Sequence, residues 1–433
     1  MAKLWEKGTE PDKRVEKFTA GRDSELDLKL ASYDIKASLA HITMLERVGL
    51  LTTQELQALT EKLLELLECV NKGEFKIEEG IEDIHSQVEL YLTEVTGDAG
   101  KKIHSGRSRN DQVLVDINLM LKDELLKFTD EILRLFNTLI SLSEKYKDVL
   151  MPGYTHSQIA MPSSFGLWFG AYAESLTDDI RILSAAYEIV DQNPLGSAAG
   201  YGTSFPIDRE LTTKLLGFGT MKYNSISAQM SREKSAKAVS DALSSLAHTL
   251  NKLSSDCVLY TGGNFNFIKF PDRFTTGSSI MPHKKNPDVW ELIRANCNRT
   301  IAASNEISLM CTNLQTGYHR DYQLLKEILF PSLERMHSCL EMADLMLSGI
   351  EVNTSLMEDS RYDHLFTVED VNRLVLKGIP FREAYRIIGE QVIKGKYKPE
   401  KKIAHTHKGS TGNLCNAEIR AKMEKALNQL KNE

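Results

Sequence analysis

The sequence predicts a mainly α protein with a long central helical bundle. Three observations carry that reading. Between residues 113 and 147, Leu114, Ile117, Leu121, Leu125, Phe128, Ile132, Leu135 and Leu139 recur at steps of three or four, with no Pro or Gly among them. Such an apolar stripe follows the 3.6-residue period of a helix, and at this length the helix would be on the order of 50 Å long. Further long helical patterns cover 163–191, 231–260, 287–311 and 322–348. Strand-like alternation is scarce, so short hairpins in the connections are the most that is expected.

Each element has a local reason. An early helix starts near Thr52, where Thr52 and Glu55 have the spacing of a capping box. It turns Leu56, Leu59, Leu63 and Leu66 inward. The stripe at 113–147 has the length of a bundle helix or an oligomer contact. Pro331 lies inside the last long segment and is expected to kink or split it. Polar linkers with Gly, and with Pro in the last three, separate these helices at 97–112, 150–162, 193–208 and 271–287. Each puts hydrogen-bonding groups near helix ends, where unpaired N–H groups favour anions. The expected domains are 1–108, a central bundle at 109–352 and a small helical domain at 353–433.

Composition narrows the function. The chain has 433 residues, 42% hydrophobic and 26% charged, an ordinary globular balance. Lys plus Arg number 53 against 60 Asp plus Glu, a net charge of -7, so nucleic acid is not the expected partner. The six cysteines, at 69, 257, 297, 311, 339 and 415, show no CxxC pair and no zinc spacing. Reduced thiols in a cytoplasmic protein are expected. The opening MAKLWEKGTEPDKRVEKF has no apolar core of a signal peptide, and no apolar run nears the roughly 18 residues of a membrane span. No HExxH, P-loop, dinucleotide fingerprint or Gly-x-Ser-x-Gly elbow occurs, so neither a metal nor a cofactor is expected.

Four segments concentrate reactive groups. IHSGRSRNDQ (103–112) packs two arginines, a His, two serines and an Asn before the long apolar stripe. An Arg fork matches a carboxylate, so a carboxylate-rich ligand suits it; an ion-paired helix start is the plainer alternative. TTGSSIMPHKKNPD (275–288) reads either as a Gly-flexible, anion-receiving lid or as a solvated turn. In the first case Lys284 or Lys285 supplies charge. PGYTHSQ holds Thr155 and His156, and a His can trade protons near neutral pH. In EDIHSQVE, Asp83 and His85 are two apart and do not share a helix face.

GSSIMPHKKNPD strongly resembles the signature of the fumarase/aspartase superfamily. HSGRSRNDQV, MPGYTHSQ, EDIHSQVE, PLGSAAGYGTSFPIDRE and KGIPFREAYRIIG resemble the argininosuccinate lyases within it, and LWEKGTEPDKRVEKFTAG resembles their amino terminus. The resemblance implies a three-domain helical fold in which four subunits build a twenty-helix core. It also implies active sites shared by three subunits. The implied reaction splits argininosuccinate reversibly into arginine and fumarate, without cofactor.

Site roles follow from the same resemblance. Ser278 matches the base that removes the succinyl proton. Lys284 and Asn286 match residues that grip the carboxylates. His156, paired with Glu291, matches the histidine that assists proton transfer to the leaving nitrogen. Thr155, Ser108, Arg109 and Asn110 match substrate contacts, with Asp83 and His85 supporting them. Arg232, Tyr318, Gln323 and Lys326 match residues at the arginine end, where Lys326 would meet the substrate's carboxylate.

Several positions depart from the family pattern. PHKKN stands for PQKKN, so His283 resembles the sister adenylosuccinate lyases, which nevertheless lack the GRSRNDQ run. Leu324 and Leu325 replace two acids. TAGR replaces NASI, and the Lys-rich tail after 395 is divergent. These mark a divergent branch. The alternatives are another fumarate-releasing lyase or a non-catalytic protein on the same scaffold.

Overall fold

The computed structural model describes residues 12–78 and 80–431. The LWEKGTE stretch of the resemblance lies outside them. Two short helices open the described chain, α1 (Lys13–Ala20) and α2 (Asp23–Leu26). Then α3 (Ala31–Arg47), α4 (Thr53–Asn71) and α5 (Ile84–Thr96) pack around Ile35, Ile42, Leu59, Leu63 and Val88. The Thr52 and Glu55 capping box is present at the start of α4. Leu59, Leu63 and Leu66 are buried there, and Leu56 is half-buried.

After the single turn α6 (Asp98–Lys101) comes α7 (Arg109–Lys145), four residues ahead of the apolar stripe because Ser108 caps it. A hairpin, β1 (Leu150–Thr155) with β2 (Gln158–Ser164), leads to α8 (Phe165–Val190). A parallel two-residue pair, β3 (Gln192–Asn193) with β4 (Thr220–Met221), encloses α9 (Arg209–Leu215). The bundle continues with α10 (Ser225–Thr261), α11 (Asp288–Met310) and α12 (Leu325–Ser348). Asn224 caps α10, so it begins six residues before the predicted start. The pair β5 (Ile268–Lys269) with β6 (Glu351–Val352) ties the loop after α10 to the end of α12.

Five long helices, α7, α8, α10, α11 and α12, share one core that includes Phe128, Phe136, Phe169, Leu243, Trp290 and Met336. Pro331 does not split α12. The helix runs unbroken through it, and Leu329, Phe330, Ser332 and Leu333 around it are all buried. Packing on both sides holds the backbone where propensity alone would break it. Helices α13 (Thr367–Leu376) and α14 (Phe381–Ile393) bury Val371, Ala384 and Ile388 in a small cluster of their own. The last helix, α15 (Asn416–Lys431), returns to the bundle, adding Ile419, Met423 and Ala426 to the main core. No described helix is long and apolar enough to cross a membrane.

Candidate active site

A cavity of about 430 Å³ opens where α2, the starts of α5 and α7, the early turns of α10 and the segment 318–326 converge. Its wall is charged in both senses. Asp23, Asp27, Glu82 and Asp83 supply acids, and Arg109, Arg232, Arg320 and Lys326 supply bases. Asn110, Val113, Tyr318 and Gln323 complete it.

The start of α7 is built by hydrogen bonds. Ser108 caps the helix, accepting from the Asn110 N–H at 3.3 Å, and its backbone N–H donates to Asp111 at 2.8 Å. The other Asp111 oxygen accepts from the N–H groups of Gly196 and Ala198, at 2.9 and 2.8 Å. One buried carboxylate therefore clamps the GSAAG loop to the helix start. Burial pushes the Asp111 carboxyl up to about 6 against those donors.

Arg109 is aimed by α5. Its Nη1 lies 3.1 Å from Asp83 Oδ2, and its Nη2 donates to Ser86 Oγ at 2.8 Å. Asp83 also caps α5 by accepting from the Ser86 N–H at 2.9 Å. Burial opposes the Asp83 charge, but His85, Arg109 and the Ser86 bonds outweigh it and hold the carboxyl below its ordinary range.

The opposite wall carries the other bases. Arg232 is 4% exposed, and its guanidinium lies 5.6 Å from the Tyr318 ring centre, in cation–π range. Its Nε has no hydrogen-bond partner in the described residues. Gln323 donates to the carbonyls of Thr19 and Ala20 and accepts from Arg320. Lys326 is buried between Asp23 and Asp27, at 2.6 and 2.5 Å. Burial lifts Asp23 to about 6 in spite of that lysine.

Behind the cavity, Asp34, His85 and Asp116 bring ligand-type atoms within 4.8 Å of one another. Gln112 donates into this cluster, while the buried Arg107 guanidinium donates to Ser38 Oγ and acts on the cluster's carboxylates only through charge.

The 275–288 segment is a surface loop closed at its neck by a Thr276–Asn286 bridge. Ser278 Oγ accepts from the N–H groups of Ile280 and Met281, at 3.3 and 3.1 Å. Asn286 donates to the Gly277 carbonyl, and Lys285 pairs with Asp272. Ile280 is 82% exposed. His156 sits at the tip of the β1–β2 hairpin, where it and Ser157 both take positive φ, 52° and 59°. A two-residue turn of this kind matches the twist of its strands, yet costs a residue with a side chain about 1 kcal/mol.

A lyase family model matches residues 6–302. The argininosuccinate lyase of Phocaeicola vulgatus is 54% identical over 425 residues, 98% of this chain and 95% of that one. The argininosuccinate lyase of Parabacteroides distasonis is also 54% identical, with the same coverage. The chain belongs to the argininosuccinate lyase family. Among solved structures, the class II fumarase of Schistosoma mansoni has the same fold, with a TM-score of 0.72 at 17% identity, over 96% of this chain and 94% of that one.

The residues singled out by the argininosuccinate lyase resemblance fall into two groups. Asp83, Arg109, Asn110, Arg232, Tyr318, Gln323 and Lys326 line one cavity. Ser108 and His85 stand directly behind it, as helix cap and buried anchor. Ser278, Lys284, Asn286, Thr155, His156 and Glu291 do not line it. His156 and Glu291 are both exposed, and no ion pair joins them among the described residues. The sequence reading missed Asp23, Asp27, Glu82 and Arg320. Asp23 and Asp27 were visible as a four-residue repeat of acids on one helical face. They follow TAGR, where the family pattern is lost.

Proposed function

We propose that the chain splits argininosuccinate reversibly into L-arginine and fumarate, a carbon–nitrogen elimination that serves arginine biosynthesis. The 54% identity to argininosuccinate lyases across 98% of the chain carries this reading. Ser278 acts as its oxyanion, held by the N–H groups of Ile280 and Met281, and takes a proton from the succinyl carbon beside the carboxylate, becoming a neutral hydroxyl. The electron pair left behind is stabilised as a carboxylate-delocalised carbanion, with Lys284 opposite the developing charge and Asn286 holding the succinyl end. The carbon–nitrogen bond then breaks, and the leaving guanidine nitrogen receives a proton with help from His156, oriented by Glu291. Arg109, Asn110, Thr155 and Ser108 bind carboxylates, the last through a hydroxyl hydrogen that helix capping leaves free. Arg232, Tyr318, Gln323 and Lys326 fix the arginine end. The acids Asp23 and Asp27 suit its cationic groups.

The active unit we propose is a homotetramer in the cytoplasm. Three features support it. Five long helices per chain supply twenty in four copies. Leu292 and Leu309 on α11 are 63% and 67% exposed, an unusual dressing for a bundle face that meets only water. None of the serine-loop residues lines the charged cavity of its own chain, as a site shared between chains would have it. We take the domains as 1–108, 109–352 and 353–433; α3–α5 and α13–α14 have apolar clusters of their own, while α15 packs on the bundle.

Purified protein should release fumarate from argininosuccinate, followed by ultraviolet absorbance, with no added metal or nucleotide. Absence of fumarate from an active-site-intact preparation would reject the reading. His283 favours one second reading, adenylosuccinate cleavage; turnover of that substrate in place of argininosuccinate would establish it.

A further inference from the structure

Three helices meet behind the cavity at a cluster that solvent does not reach. Asp34 comes from α3, His85 from α5, and Gln112 and Asp116 from α7. His85 Nδ1 lies 2.8 Å from Asp34 Oδ1, and Gln112 Nε2 donates to the same oxygen at 2.6 Å. Asp116 Oδ2 is 3.6 Å from His85 Nδ1, and the Asp116 carboxyl lies within hydrogen-bonding reach of Asp34. Burial opposes ionisation of Asp34, but His85, Arg107 and Gln112 outweigh it and keep the carboxylate charged. Asp116 goes the other way: burial and the Asp34 charge raise its carboxyl well above the ordinary carboxylate range. With Asp34 ionised, His85 Nδ1 must carry the hydrogen and donate it.

His85 sits in the turn that aims Arg109. Asp83 and Ser86 face the guanidinium, at 3.1 and 2.8 Å, while His85 points the opposite way into the cluster. The turn is thus held from behind by Asp34 and used in front by Arg109. A turn free to rotate would carry both Arg109 contacts with it.

We propose that Asp34 is a positioning residue for Arg109, acting through His85 to fix the first turn of α5 against the start of α7. This rests on the reading of Arg109 as a substrate contact. A double-mutant cycle on the full-length enzyme tests it, with argininosuccinate as the varied substrate. Asp34→Asn keeps the shape and removes the charge. It should raise KM about tenfold while kcat stays within about threefold. In an Arg109→Ala background the same change should move KM by no more than about twofold, since the group being positioned is gone. His85→Asn should behave alike and decides the matter if Asp34→Asn does not fold. Effects that multiply across the cycle, an unchanged KM in Asp34→Asn, or failure of both variants to fold would overturn the proposal. Failure of the underlying reading looks different: Arg109→Ala alone would then show a wild-type KM.

Discussion

Lys326 Nζ lies 2.5 Å from Asp27 Oδ1, and the two side chains are only 3% and 1% exposed. The pair joins α12 to the turn after α2, and Asp23 closes it from the cavity side. Lys326→Met would leave two carboxylates without their cation. Breaking a buried pair in this way costs about 3–5 kcal/mol, which urea denaturation should show as a lower midpoint. Adding Asp27→Asn should restore a large part of the loss, because the stranded charge goes with it. A wild-type midpoint for Lys326→Met would contradict this picture.

Ser278 stands on an exposed loop and, among the described residues, accepts two backbone N–H bonds. Ser278→Ala should therefore leave the melting curve within about 0.5 kcal/mol of wild type. Its kcat should fall about 10²–10⁴-fold, the range set by loss of a positioned base. Fumarate absorbance under saturating argininosuccinate measures it. Full turnover in the variant would remove Ser278 from the mechanism.

His337 is held between Glu124 and Glu131, at 2.7 Å from each, and stacks on Phe128 with ring centres 3.8 Å apart. Burial lowers its affinity for a proton, but the two carboxylates win and raise it to about 9 from 6.5. A raised folded-state value gives stability that is complete below about pH 6.5 and is lost as pH rises through 9. The shift corresponds to about 3 kcal/mol at most. Thermal melts between pH 6 and 10 should fall more steeply for wild type than for His337→Gln. Parallel curves would exclude the effect.

Asp111 answers three backbone N–H groups with two oxygens. In Asp111→Asn, either orientation of the amide sets an NH2 against an N–H donor. The unmet bonds should cost about 1–3 kcal/mol. Hydrogen exchange provides the local readout: the Gly196 and Ala198 amides should exchange faster, while the core of α8 keeps its protection. Unchanged exchange at both amides would show that the clamp does not hold the loop.

Much of this molecule was legible beforehand, for identifiable reasons. The long helices were visible because their apolar periods run for several turns without Gly or Pro, as at 113–147. The Thr52 cap was visible because a capping box is a local signal. What failed was whatever depends on distant packing. Pro331 sits in an unbroken helix because buried neighbours on both sides hold it. The start of α10 was misplaced because Asn224 caps a turn that carries no apolar stripe. In the site, Arg109 and Arg232 were marked by motif, but the acids Asp23 and Asp27 were not, since their motif has diverged. Asp34 gave no signal at all, because its partner His85 is distant in sequence and no local pattern links them.

The balance of four acids and four bases in the part of the wall that one chain supplies has a kinetic consequence. A pocket with almost no monopole casts little field beyond its mouth, so it cannot draw ligands across the roughly 8 Å screening length of physiological saline. Capture then depends on short-range fit, and the association rate should barely respond to added sodium chloride. Such a pocket trades fast encounter for constancy, keeping the same grip as the ionic content of its surroundings changes.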